Sequence, residues 1–170
     1  AIGVDILLKK NWIKGQSWIS YSLSRTYNKS ENVNKGDDYP AFDDHLNELK
    51  IVNVLNLKHW NFTVAWIYGT GKPWDYISFI NNSLQVSPDY SKNSYQLEPY
   101  HRLDVGISYN LSILKSDFKI GAKIFNLYNR VNVLSKPYQL SEPFTVASPL
   151  VYSEIPGMGF TTSFFFNLRF

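Results

Sequence analysis

The stretch Phe160-Thr161-Thr162-Ser163-Phe164-Phe165-Phe166-Asn167-Leu168-Arg169-Phe170 decides the fold. Read with a period of two, it sets Phe160, Thr162, Phe164, Phe166, Leu168 and Phe170 on one face, and Thr161, Ser163, Phe165, Asn167 and Arg169 on the other. A soluble sheet would press such a greasy row onto a packed core. A row that ends on an aromatic residue and carries a largely polar face behind it instead suits a barrel wall with lipid outside and water inside. This strand makes a bacterial outer membrane the expected location.

Working back from it, the same alternation recurs. Leu103, Val105, Ile107, Tyr109 and Leu111 oppose Arg102, Asp104, Gly106, Ser108 and Asn110, and Ile19, Tyr21 and Leu23 oppose Ser20, Ser22 and Ser24. Further strands are expected at Ile2 to Leu8, at Leu49 to Leu57, at Phe62 to Tyr68 and at Phe118 to Ile124. Asn126 to Arg130 breaks the rhythm and reads as a bulge within one long strand that resumes through Val131 and Val133. No stretch reads as a helix.

The connections alternate in length. Short turns fall near Lys14-Gly15, Lys58 to Asn61 and Lys115 to Asp117, and long polar loops run over about 28–45, 71–98 and a last stretch containing Pro137, Pro143, Pro149 and Pro156. Outer-membrane barrels put short turns in the periplasm and long loops outside, so counting back from a periplasmic C-terminus gives about seven strands and sets Ala1 near the outer rim. Single-chain bacterial barrels have an even number of strands. The expected fold is therefore all-β, an antiparallel transmembrane β-barrel segment, the C-terminal part of a larger barrel. Breaking Phe118 to Tyr138 into two strands would restore eight, enough for a small closed barrel.

Composition agrees. The 170 residues are 44% hydrophobic, enough for a sizeable core, and 16% aromatic, with 12 Tyr, 11 Phe and 5 Trp, which favours sheets with greasy or interfacial faces. A formal charge of +3 with scattered Lys and Arg argues against nucleic acid as a partner. With no Cys there is neither a disulfide framework nor a thiolate metal site. No apolar run is long enough for a spanning helix, and the opening Ala1-Ile2-Gly3-Val4 lacks a signal peptide, so an exported product would be mature or a fragment.

Four ordered segments carry a resemblance. Tyr39-Pro40-Ala41-Phe42-Asp43-Asp44-His45, Trp66-Ile67-Tyr68-Gly69-Thr70-Gly71-Lys72-Pro73, Tyr100-His101-Arg102-Leu103-Asp104-Val105-Gly106-Ile107-Ser108-Tyr109 and Asn126-Leu127-Tyr128-Asn129-Arg130-Val131-Asn132 precede the aromatic terminal strand. In this the whole of residues 1–170 resembles the C-terminal barrel of TonB-dependent outer-membrane receptors, particularly those of Bacteroidetes. The resemblance implies a barrel of about 22 strands, filled by a plug domain that is moved by the periplasmic protein TonB. It implies as partners outer-membrane lipid, the remainder of the barrel and the plug, and a substrate such as an iron chelate, vitamin, glycan or peptide. No plug is found in these residues. No cofactor and no enzymatic activity are expected.

Within this frame the aromatic loop residues Trp74, Tyr76, Phe79, Tyr90 and Tyr95 are the candidate ligand contacts, because flat rings offer area at small entropic cost. The plainer reading is that they pack the loop onto its neighbours or form the interfacial girdle. Asp37, Asp38, Asp43 and Asp44 are a weak calcium candidate, with a solvated loop as the alternative. His45, His59 and His101 lack the spacing of a zinc site and read as rim residues. Gly69-Thr70-Gly71-Lys72 resembles the end of a phosphate loop, but Trp66 stands at the earlier Gly position and Pro73 follows the Lys, so a strand end entering a loop is the better reading. Trp12, Trp18 and Trp60, near the short turns, are expected in the periplasmic girdle. Rival readings are a closed porin-like or adhesive barrel, a membrane-embedded hydrolase using Asp104, and a soluble β-sandwich binding module.

Overall fold

The computed structural model describes residues 1–75, 77–80, 83–86, 92–113, 116–140 and 150–170, with backbone alone at 77–80, 83–86, 140 and 150. Seven strands form one antiparallel sheet in sequence order: β1 (Ile2–Trp12), β2 (Gly15–Arg25), β3 (Asn47–Leu57), β4 (Trp60–Gly69), β5 (Tyr100–Ile113), β6 (Ser116–Phe125) and β7 (Thr161–Arg169). Each strand begins where the alternating pattern begins and stops at a turn former. Lys58, with a φ of 52°, reverses the chain between β3 and β4. The sheet is not closed, and β1 and β7 are each paired on one side only.

The register carries more information than any single strand. A one-residue slip in any pairing would turn that strand's greasy set to the opposite face. No such slip occurs. Leu8 pairs with Ile19, Ile19 with Ile51, Ile51 with Trp66 and Trp66 with Leu103. Further down the strands Phe62 pairs with Ile107, Ile107 with Ala122, and Ala122 with Phe164. All seven apolar rows thus lie on one face, and most Ser, Thr, Asn, Asp, Glu and Lys side chains of the strands lie on the other, with Ser17, Asn47, Asn53, Ser116 and Thr162 among the exceptions that share the apolar face.

Nothing among the described residues is laid over that apolar face, since the strands pack against their own neighbours and the remaining pairings are small ribbons in the long connections. Phe164 is 81% exposed, Val4 61% and Ile120 60%, and Leu97 is the one buried hydrophobic residue among those described. A sandwich needs a second sheet to bury this face.

Aromatic rings gather toward both ends of it. Trp60 meets Tyr109 edge-on at 4.8 Å near the short turns, and Trp66 stacks on Tyr68 at 6.0 Å near the long connections. Trp12 shares the apolar face with Trp60, and its Nε1–H donates to Ser17 Oγ at 2.8 Å. Trp18 does not join them. It pairs with Lys9 and Val52 and has the parity of Ser20 and Ser22, so its ring belongs to the polar face.

The expected bulge after Phe125 is a turn instead. Asn126 and Asn129 take positive φ values of 53° and 52°, which end β6, and the chain beyond pairs elsewhere, Val133–Ser135 with Ile155–Pro156 and Tyr138–Leu140 with Leu150–Tyr152. Neither ribbon joins the main sheet, whose strand count stays at seven.

Candidate functional site: the loop end of the sheet

All three long connections, 26–46, 70–99 and 126–160, leave the same end of the sheet. Their footing is a set of asparagines. Because β6 stops at Phe125, the upper part of β5 lacks a strand on that side, and its backbone groups need other partners. Asn132 supplies them through its side-chain amide, accepting from His101 N at 3.0 Å and donating to His101 O at 3.1 Å. Leu127 N donates to Leu103 O at 2.7 Å.

Asn126, fully buried, donates to Arg130 O at 2.9 Å and Met158 O at 3.3 Å, and accepts from Arg130 N at 3.1 Å. Asn129 accepts from Phe160 N at 2.8 Å, tying the start of the terminal strand to the same turn. Asp104, on the polar face, accepts from Asn126 N at 2.9 Å and pairs with Arg102 at 3.0 Å. Both of its oxygens therefore serve the turn and its neighbour. These asparagines recur at every third position, and an amide that both donates and accepts can stand in for a missing strand's peptide group.

The connections are stitched to one another. Between the first two, Lys72 Nζ donates to Asp43 at 2.7 Å and Asn93 Nδ2 donates to Pro40 O at 2.7 Å. Between the second and third, Trp74 stacks on Tyr138 with centroids 5.6 Å apart and planes within 5°, and its Nε1–H donates to Lys136 O at 2.9 Å. Tyr95 and Tyr152 meet the Trp74 ring edge-on at 6.0 and 5.7 Å, and the Lys136 ammonium lies 5.7 Å from its centroid. At Gly71 a Cβ would sit 1.6 Å from Leu97 O, so only glycine lets the two arms of the second connection close, with Leu97 N donating to Lys72 O at 2.9 Å.

A cleft of about 240 Å³ opens between these feet, lined among others by His45, Glu48, Thr70, Lys72, Glu98 and Tyr100. His45 Nδ1 lies 2.9 Å from Thr70 O, and Asn47 N donates to Thr70 Oγ1 at 3.1 Å. Of the charged groups lining it, Lys72 pairs with Asp43 and Glu48 with Lys50. The Lys72 hydrogen bond holds the Asp43 carboxyl below the usual carboxylate range, and the Glu154 hydrogen bond holds the Lys136 amine above its usual value. Burial raises the Tyr128 phenol. With both signs, an imidazole and a phenol at its edge, the cleft offers hydrogen bonds to a polar solute.

Of the five aromatic ligand candidates, Trp74 and Tyr95 are brought together, joined by Tyr138 and Tyr152, which sequence reading had not singled out. Those two rings pack one connection onto the next. Tyr76 and Tyr90 lie outside the described residues, and Phe79 is described by backbone alone, in a strand over Ile77–Ile80. The four aspartates do not converge. Asp44 is buried against Arg25 at 3.1 Å and accepts from Thr26 N at 2.7 Å, Asp43 pairs with Lys72, and Asp38 lies 3.9 Å from Lys29. Among the described residues no group of three or more His, Asp or Glu is placed to hold a metal ion. No family model matches the chain, and neither does any curated protein or solved structure.

Proposed function

We propose that the chain is a length of wall and external rim of an outer-membrane β-barrel of the TonB-dependent import-receptor type. Its apolar face meets lipid, its polar face lines the lumen, and its three tied connections form the outer rim where a solute is first taken. The observation that carries this reading is the agreement of the six registers that join seven strands on a single apolar face left uncovered among the described residues. Strand length supports it as well. Eleven residues, as in β1, β2 and β3, extend ~36 Å, and a tilt of about 45° brings that to ~25 Å, the height of the apolar band of such barrels. The internal strands pair on both sides along most of their length, and the loop-end part of β5 is satisfied by Asn132 and Leu127 instead, which meets the condition a bilayer imposes. The import class rests on the four ordered segments and the aromatic terminal strand.

The chain has no cysteine, so single cysteines report cleanly. In the membrane-inserted protein, a hydrophilic, impermeant thiol reagent labels cysteines at the exposed polar-face positions Thr63, Lys119 and Ser163 and spares those at Val64, Ile107 and Ile120. Equal labelling of both sets removes the membrane reading. The import class is tested by the reading frame upstream of Ala1. Further alternating strands and a plug support it, and a start codon with a signal peptide directly before Ala1 overturns it.

A further inference from the structure

The polar face holds a hollow of about 730 Å³ that spans β3 to β7, within the size range of small-molecule sites. Its lining has an unusual charge balance. Lys119 and Lys123 both border it, no carboxylate does, and neither lysine makes an ion pair among the described residues. The nearby acids are engaged elsewhere. Asp117 accepts from Ser112 Oγ at 2.6 Å, and Asp104 is held by Arg102 and Asn126.

Between the two lysines lies an aromatic floor. Phe165 pairs across the strands with Gly121, and a Cβ there would come within 2.5 Å of the ring, so the ring lies over the glycine. The rows on either side are Lys119 with Asn167 and Lys123 with Ser163, and Lys123 Nζ stands 5.5 Å from the ring centroid. Asn61, also lining the hollow, has a buried side-chain nitrogen without a hydrogen-bond partner among the described residues. Leaving a buried donor unmade is costly, and an incoming acceptor would satisfy it.

We propose that this hollow binds a small organic anion with a flat apolar body. The body lies on Phe165, the anionic group meets Lys119 or Lys123, and the Asn61 nitrogen donates to a ligand acceptor. The inference deepens the lumen reading above, naming the class of solute that the polar face favours on its way inward, and it rests on that face being wet.

The test uses the full-length protein in detergent, with benzoate, acetate and benzylamine as probes, followed by equilibrium dialysis. Benzoate binds more tightly than acetate, and benzylamine does not bind. The double substitution Lys119→Gln, Lys123→Gln weakens benzoate about tenfold, in keeping with two partly exposed charge contacts. Phe165→Leu brings benzoate down to the level of acetate. The charge reversal Lys119→Glu, Lys123→Glu turns the preference toward benzylamine, a gain that misfolding cannot produce. Absence of benzoate binding, equal binding of benzylamine, or indifference to the lysine changes overturns the proposal. Thiol labelling reads membrane insertion independently, so a failure here with labelling intact removes the site and leaves the wall.

Discussion

Replacing Asn126 tests the footing of the whole loop end. The side chain is fully buried and makes three hydrogen bonds, two of them with the backbone of Arg130. Removing it costs about 1 kcal/mol for each of the three lost bonds, roughly 3 kcal/mol in all. The backbone adds a second effect, because Asn126 has a φ of 53°. Asn126→Gly keeps that conformation available, while Asn126→Ala costs roughly 1 kcal/mol more. Expected losses are therefore about 3 kcal/mol for glycine and about 4 for alanine, against under about 0.5 for Asn11→Ala on an exposed stretch of β1. Urea unfolding of the full-length protein in detergent gives the totals, and amide exchange at Leu127 and Phe160 shows whether the turn has opened. Losses below about 1 kcal/mol for both variants, or alanine no worse than glycine, would refute the account of a buried amide holding a left-handed turn.

Brominated lipids should quench single-tryptophan proteins retaining Trp60 or Trp66 and leave one retaining Trp18 bright, since Trp18 alone of these has the parity of the polar face; equal quenching of all three removes the face assignment. Gly71→Ala should destabilise by at least ~2 kcal/mol because its Cβ meets Leu97 O, whereas Gly106→Ala, whose nearest contact would be 3.5 Å, stays within ~1 kcal/mol in the same unfolding assay. A double-mutant cycle of Trp74→Ala and Tyr138→Ala should give a coupling of about 1 kcal/mol, and additivity would deny the stack between the second and third connections. The tie between Asp43 and Lys72 carries a pH dependence. The Asp43 carboxyl is held below 3.8, so the tie is fully present above that pH and fades as pH falls through the lower folded value. The opposite sign holds for Lys136 and Glu154, whose tie is complete below pH 10.5 and fades above it. Distance labels spanning each pair of connections would detect both losses.

Local periodicity made the sheet legible. Seven dyad patterns and the short-long rhythm of turns are properties of neighbouring residues, and β1 to β7 fall where the alternation runs. Trp18 shows how two local signals compete. Its nearness to a turn suggested the girdle, but its parity with Ser20 and Ser22 fixes its side, because the pleat leaves no freedom about which face a residue takes. The Asn126 turn was misread for a different reason. Its hydrogen bonds reach Met158 and those of Asn132 reach His101, about thirty residues away in each direction, and no window of sequence contains both ends. The aromatic cluster has the same character. Trp74 was conspicuous alone, yet Tyr138 and Tyr152 become its neighbours only once two connections are folded together.

The direction of the outermost strands has a consequence for assembly. β1 and β7 both run from the loop end toward the short turns, because an odd number of hairpin steps separates neither from the other. Curling the sheet until its borders touch would thus make a parallel seam, as would joining it to a second copy inserted the same way up. An all-antiparallel cylinder needs an odd number of extra strands between those borders, which sets a parity rule for whatever completes the ring.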